Sequence, residues 1–248
     1  MGKAITTMSK AIGLFVLLHL LAIGTLAQNV PVYGCLAGRS ATVNLTEKRI
    51  FVRTGLPDLD AVIIDDLTEL DAKFGVNVPV YFLNDELANA FFTPTKFPAR
   101  ILEDGGDPNM SVTGSVFFSI PLLMKEFRDT NGSLMSVPAI LAHEFAHAMQ
   151  FNNRFPYQGK WRELHADYMA GWFIAHRGRF RSQNAWQAMI SFYQKGDTNF
   201  FDADHHGTPE ERAAAFNSGF LLNIMRNESS GFNAYNAGLQ YLMALGAR

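Results

Sequence analysis

The sequence predicts an α+β domain, a small sheet followed by a mainly helical half, and three observations carry that expectation. Val76–Leu83 and Ser111–Ile120 are rich in β-branched and aromatic residues, the composition of strands. From Val137 onward, apolar residues recur at helical spacing in five successive stretches. Strand-like segments that precede helices, instead of alternating with them, point to α+β and not to a parallel α/β sheet.

Each element has its own signals. Residues 28–56 are glycine-rich with weak periodicity and read as short strands and loops. Asp58–Phe74 places Leu59, Val62, Ile63, Leu67 and Leu70 at helical intervals, and Gly75 closes the helix. Phe91–Met110 contains prolines and the Gly105-Gly106 pair and reads as a loop, and Pro121 stops the second strand. The helical stretches are expected at about 137–152, 159–177, 183–195, 209–226 and 232–245. Phe117, Phe118, Trp161, Trp172 and Trp186 are expected in the core, where large aromatics bury most area.

The first 27 residues form a separate unit. Lys3 and Lys10 give a positive start, an apolar run fills residues 11–27, and Thr25-Leu26-Ala27 precedes Gln28 with small residues at −3 and −1. This is the order of a secretory signal, so an exported chain, periplasmic or secreted, is expected. The alternative is a membrane anchor over residues 11–27, since about 17 apolar residues is the short limit for a span. Residues 28–248 then form one domain. Cys35 is the single cysteine, which excludes an intrachain disulfide and a thiolate metal cluster. The bulky residues before Cys35, and its distance from the apolar run, argue against lipidation there. A net charge of −2 over 248 residues gives no electrostatic footprint for nucleic acid.

The chemistry concentrates in the first helix of the second half. Ser136 is a candidate N-cap and Pro138 suits a first turn. His143 and His147 are four apart and share a face, a pair able to hold one zinc ion, with Glu144 beside them. A third ligand is available 16 residues after His147, where Glu163 and Asp167 share a face of the next helix. The turn residues of Asn152–Gly159 make the two helices antiparallel neighbours. One carboxylate would complete the site and the other would accept a ligating histidine's ring N–H. His165 points roughly 160° away from that line and is rejected as a ligand.

These residues resemble known families. Paired histidines followed by a Glu-x-x-x-Asp helix look like the gluzincin metallopeptidases. HEFAHAMQ (143–150), ELHADYMAGWF (163–173) and HGTPEERAAAF (206–216), in that order, resemble the bacterial neutral zinc metallopeptidases. The last two blocks are also similar to the CAAX-prenyl-protease and HtpX-type membrane peptidases. The single apolar segment speaks against their multi-spanning members. The resemblance implies a zincin-like domain with one zinc ion on His143, His147 and Glu163, and Glu144 as general base. Asp167 and Arg212 would support the site. His206, ahead of the capped helix that Thr208-Pro209-Glu210-Glu211 starts, would donate to the developing oxyanion. Such a site keeps a position for water, whose proton Glu144 would take before hydrolysis of a peptide bond. An edge strand ahead of the histidine helix would pair with extended substrate, and Ser111–Ile120 is the candidate. His19 and His176 receive no role.

The expected function is therefore a zinc peptidase acting on peptide or protein substrates, probed first at Glu144. The alternative is an exported or anchored protein that binds zinc for structure alone, for which a retained base has no use.

Overall fold

The structure, a computed structural model, describes residues 29–32, 42–45, 49–84, 90–95, 113–129, 136–177 and 206–248. The expected leader, Cys35, the Gly105-Gly106 pair, the helix at 183–195, Trp186 and His205 lie outside them. The described elements are β1 (Asn29–Pro31), β2 (Thr42–Asn44), β3 (Ile50–Phe51), α1 (Pro57–Phe74), β4 (Val80–Leu83), β5 (Ala90–Thr93) and β6 (Ser115–Ser119). They are followed by α2 (Ile120–Asp129), α3 (Ser136–Asn152), α4 (Lys160–His176), α5 (Pro209–Arg226) and α6 (Gly231–Ala244). The fold is α+β: a small mixed sheet, then a mostly helical half.

Strands β1 and β2 form an antiparallel pair; the other four form a sheet ordered β3-β4-β6-β5. In it β4 and β6 run parallel, while β3 and β5 flank them antiparallel. Both faces of this sheet are covered. Val80, Phe82, Phe92, Val116 and Phe118 join the main core with the helices. Tyr81, Phe91 and Phe117 point the other way, into a second cluster with Leu45, Ile50 and Leu83. There Phe117 stacks between Tyr81 and Phe91, with ring centroids 5.4 and 5.3 Å apart. Alternation across the strand thus divides neighbouring phenylalanines between two cores.

Three local expectations change. The strand expected at Val76–Leu83 pairs only from Val80, because the Val78 N–H donates to Asp71 Oδ1 (3.1 Å) and Pro79 has none to give. The loop expected from Phe91 begins inside β5, whose Phe91 and Phe92 pair with Phe117 and Val116. Ser111–Ile120 was the candidate edge strand, yet β6 is interior, paired on both sides by β4 and β5. Among the described strands the edge positions belong to β3 and β5. Pro121 does follow the strand, and it also sits in the first turn of α2, capped by Ser119 Oγ accepting from Leu122 N–H at 3.2 Å.

The helices follow their sequence signals more closely. Gly75 ends α1 in the left-handed conformation (φ 63°), and Phe74 just before it meets Phe145, Trp172 and Phe173 at centroid distances of 6.3, 6.0 and 5.8 Å. Helix α5 opens with a complete capping box between Thr208 and Glu211. Ser136 is the first residue of α3, and among the described residues its buried Oγ has no hydrogen-bond partner. Helices α3 and α4 run antiparallel, Gln150 lying by Arg162 and His143 by Asp167. Helices α4 and α5 run side by side in one direction, from Lys160–Glu211 to Gly171 and Gly219. Two glycines let their backbones touch. A Cβ at Gly171 would stand 1.9 Å from Phe216 O, and one at Gly219 would stand 1.8 Å from Tyr168 O.

Candidate metal centre

Helix α3 is buried from Ser136 to Gln150, and α4 from Glu163 to Ala175, so everything polar on their shared face is out of water. Such groups must satisfy one another or hold something between them. Three of them converge. His143 Nε2 and His147 Nε2 lie 3.0 Å apart. Glu163 brings Oε2 to 3.3 Å from His143 Nε2 and Oε1 to 3.6 Å from His147 Nε2. His143, His147 and Glu163 together could hold a metal ion.

The outer nitrogens explain why the inner ones point at each other. His143 Nδ1 lies 2.8 Å from Asp167 Oδ1, within ion-pair distance but not aligned as a hydrogen bond. A bare nitrogen would not sit that close to a carboxylate oxygen, so Nδ1 carries the proton. Asp167 is itself clamped by Arg212, whose Nε and Nη2 donate to Oδ2 and Oδ1 at 2.7 Å each. His147 Nδ1 lies 2.8 Å from Gln150 Oε1 and likewise donates. With both rings protonated outward, the centre presents two nitrogen lone pairs and a carboxylate to one point. Two imidazole nitrogens and a carboxylate turned to one point could hold a cation, with the Arg162 Nε donor 3.7 Å from Glu163 Oε1.

The electrostatics agree. Burial pushes His147 below its ordinary range, which leaves the ring in the neutral form that binds metals. Burial alone would raise Asp167, but the Arg212 guanidinium outweighs it and holds the carboxyl below its usual range. Burial pushes Glu144 up to about 8, and the charge of Glu163 adds to this. His143, the Phe92 N–H and Arg212 pull the other way. Among the described residues Glu144 Oε2 has no hydrogen-bond partner although it is buried. An unsatisfied carboxylate oxygen beside a cation site is placed to accept a proton.

The remaining candidates fall around this centre. His165 is outside the cluster; its ring lies between Phe155 and Tyr235, at centroid distances of 4.7 Å each. His206 is half-buried just before Gly207, where a Cβ would come 3.0 Å from the Leu164 side chain. That puts its loop against the turn of α4 that carries Glu163. His176 ends α4, 3.9 Å from Glu69 Oε1 and stacked on Trp172. Gln150 was missed in the sequence. Its signal was there, since it follows His147 by three positions on the same face.

No protein-family model, curated protein or solved structure matches the chain. The functional reading therefore stands on the geometry and on the residues that carry it.

Proposed function

We propose that this chain is a zinc-dependent peptidase of the zincin type, with the ion on His143, His147 and Glu163 and Glu144 as general base. The observation that carries the reading is the buried three-acceptor centre with Glu144 next to it, whose Oε2 has no hydrogen-bond partner among the described residues. The donor set favours zinc, since two neutral imidazoles and one carboxylate suit that ion better than calcium or magnesium. The spacing fits as well. A tetrahedron with arms of about 2.0–2.1 Å has edges of roughly 3.3–3.4 Å; the two Nε2 atoms are 3.0 Å apart, with Glu163 Oε2 3.3 Å from His143 Nε2 and Glu163 Oε1 3.6 Å from His147 Nε2.

Zinc held there would supply a Lewis acid and an open fourth position. The chain's own residues do the rest. Glu144 takes the proton of the attacking water on Oε2 and returns it to the leaving amine. Asp167, fixed by Arg212, holds the His143 ring, and Gln150 holds the His147 ring. His206, at the loop by α4, is assigned the donor role toward the oxyanion. The edge strand β5 is the surface for an extended peptide, and its Phe92 N–H reaches the base. A backbone laid along β5 would pass Glu144 whatever its side chains, which suits a peptide or protein substrate.

Export, by a cleaved leader or an anchor over residues 11–27, is part of the same proposal. Among the described residues no helix is long and apolar enough to cross a membrane.

The test compares wild type with Glu144→Gln for zinc content and for hydrolysis of an unstructured protein. The expected result is equal zinc, with hydrolysis lower by about 10²–10⁴-fold. Equal activity would overturn the assignment of the base. Zinc in wild type without hydrolysis would return the alternative, a protein that binds zinc for structure alone.

A further inference from the structure

We infer that a buried relay anchored on helix α6 orients His147 and so sets the affinity of the metal centre, with Gln150 and His165 as positioning residues. The inference rests on the metal-centre reading above and extends it to residues on the far side of the ligand.

The direction of the relay follows from two carbonyls, which can only accept. His165 Nε2 lies 3.0 Å from Tyr235 O, so that nitrogen carries the proton of the ring. Nδ1 of the same neutral ring is then an acceptor, 3.2 Å from Gln150 Nε2. Gln150 Nε2 also donates to Arg162 O at 2.8 Å. Both its N–H groups are used, and the amide has one orientation. Oε1 is therefore turned to His147 Nδ1 at 2.8 Å, which makes Nδ1 the protonated nitrogen and leaves Nε2 bare toward the cation site. Tyr235, His165, Gln150 and His147 are all buried. Without Gln150 the His147 ring has another satisfactory state. It can carry its proton on Nε2 and donate inward to His143 Nε2, 3.0 Å away, with Glu163 Oε1 at 3.6 Å. A metal would have to displace that proton. The relay removes this competing state before any metal arrives, as outer-shell partners of metal-binding histidines do.

Helix α6 offers a handle on the relay that touches no ligand. A Cβ at Gly238 would meet His165 Cδ2 and Nε2 at 2.9 Å each, so Gly238→Ala must shift that ring. Alanine is the better helix former, so loss of helix propensity is no explanation for its effect.

Zinc affinity of the full chain is measured by competition with a chromophoric chelator, alongside thermal unfolding of the metal-free protein. Gln150→Leu is expected to bind zinc about 10–100-fold more weakly, and Gly238→Ala shifts in the same direction. Gln150→Glu keeps an acceptor for His147 and recovers most of the affinity. It does so at lower metal-free stability, because it has no N–H for Arg162 O. Unchanged affinity in folded Gln150→Leu overturns the inference; if that variant does not fold, unchanged affinity in Gly238→Ala overturns it. Failure of wild type to bind zinc overturns the metal reading instead. The relay is then decided by long-range ¹H–¹⁵N NMR of the metal-free protein. Protons on His147 Nδ1 and His165 Nε2 support it, and the opposite tautomers overturn it.

Discussion

The seam between α4 and α5 is built in two different ways along its length. Near the metal centre it is polar: Arg212 and Asp167 are both buried and joined by two bonds of 2.7 Å. A turn or two further on it is bare backbone, where Gly171 and Gly219 leave no room for even a methyl group. The polar end reaches the candidate metal centre, because Asp167 also touches His143. The glycine end sets only the distance between two helices. One interface thus separates the orientation of a ligand from the packing that brings its helix close, and substitution can address each end alone.

The largest effect on stability is expected at the polar end. Arg212→Met leaves the Asp167 carboxylate buried without its cation, a loss of about 3–5 kcal/mol. Denaturant unfolding of the metal-free protein measures it. Adding Asp167→Asn to that variant should restore part of the loss, because the uncompensated charge is then gone. A double variant no more stable than Arg212→Met would show that packing, and not charge, dominates there. Gly219→Ala forces the helices apart and should cost roughly 1–3 kcal/mol. Zinc affinity should stay near the wild-type value, since no group around the ion is removed. If affinity fell with stability, the two ends would not be separable.

The smallest effect contrasts a buried aspartate with a half-buried one. Arg212 holds Asp167 low, whereas burial pushes Asp71 up to about 7, with only the Val78 N–H pulling it down. The folded pKa of Asp71 lies above its ordinary 3.8, so the folded state binds the extra proton between those values. Stability from this group is therefore complete at low pH and is lost as pH rises from about 4 to about 7. Asp71→Asn keeps an acceptor for Val78 and should abolish the fall. Unfolding midpoints of both proteins at pH 5 and pH 8 check it: the variant's gain on wild type is larger at pH 8 than at pH 5.

The helical half was legible because its signals are local. The capping box at Thr208 and the left-handed stop at Gly75 each act within a few residues. Helical phase alone placed Glu163 and Asp167 on one face, toward the pair at His143 and His147. The sheet was less legible because its determinants lie far apart in sequence. Strand β5 is four residues of a proline-rich stretch, and only pairing with β6 makes it a strand. Helix α2 was hidden because Pro121 is equally suited to stopping a strand and to starting a helix. Gln150 and His165 sit within the recognised motifs, yet their use depends on two backbone carbonyls that no residue pattern announces.

The bond from His165 to Tyr235 O also has a consequence for the order in which the protein comes to exist. Its partners are 70 residues apart in the chain. At 5–20 residues per second, about 4–14 s of synthesis separate them. During that interval the two histidines and the glutamate have already emerged, with one ring still lacking its distant anchor. On the metal-centre reading, a nascent chain would meet metal ions first with a looser grip and tighten it only once α6 has docked.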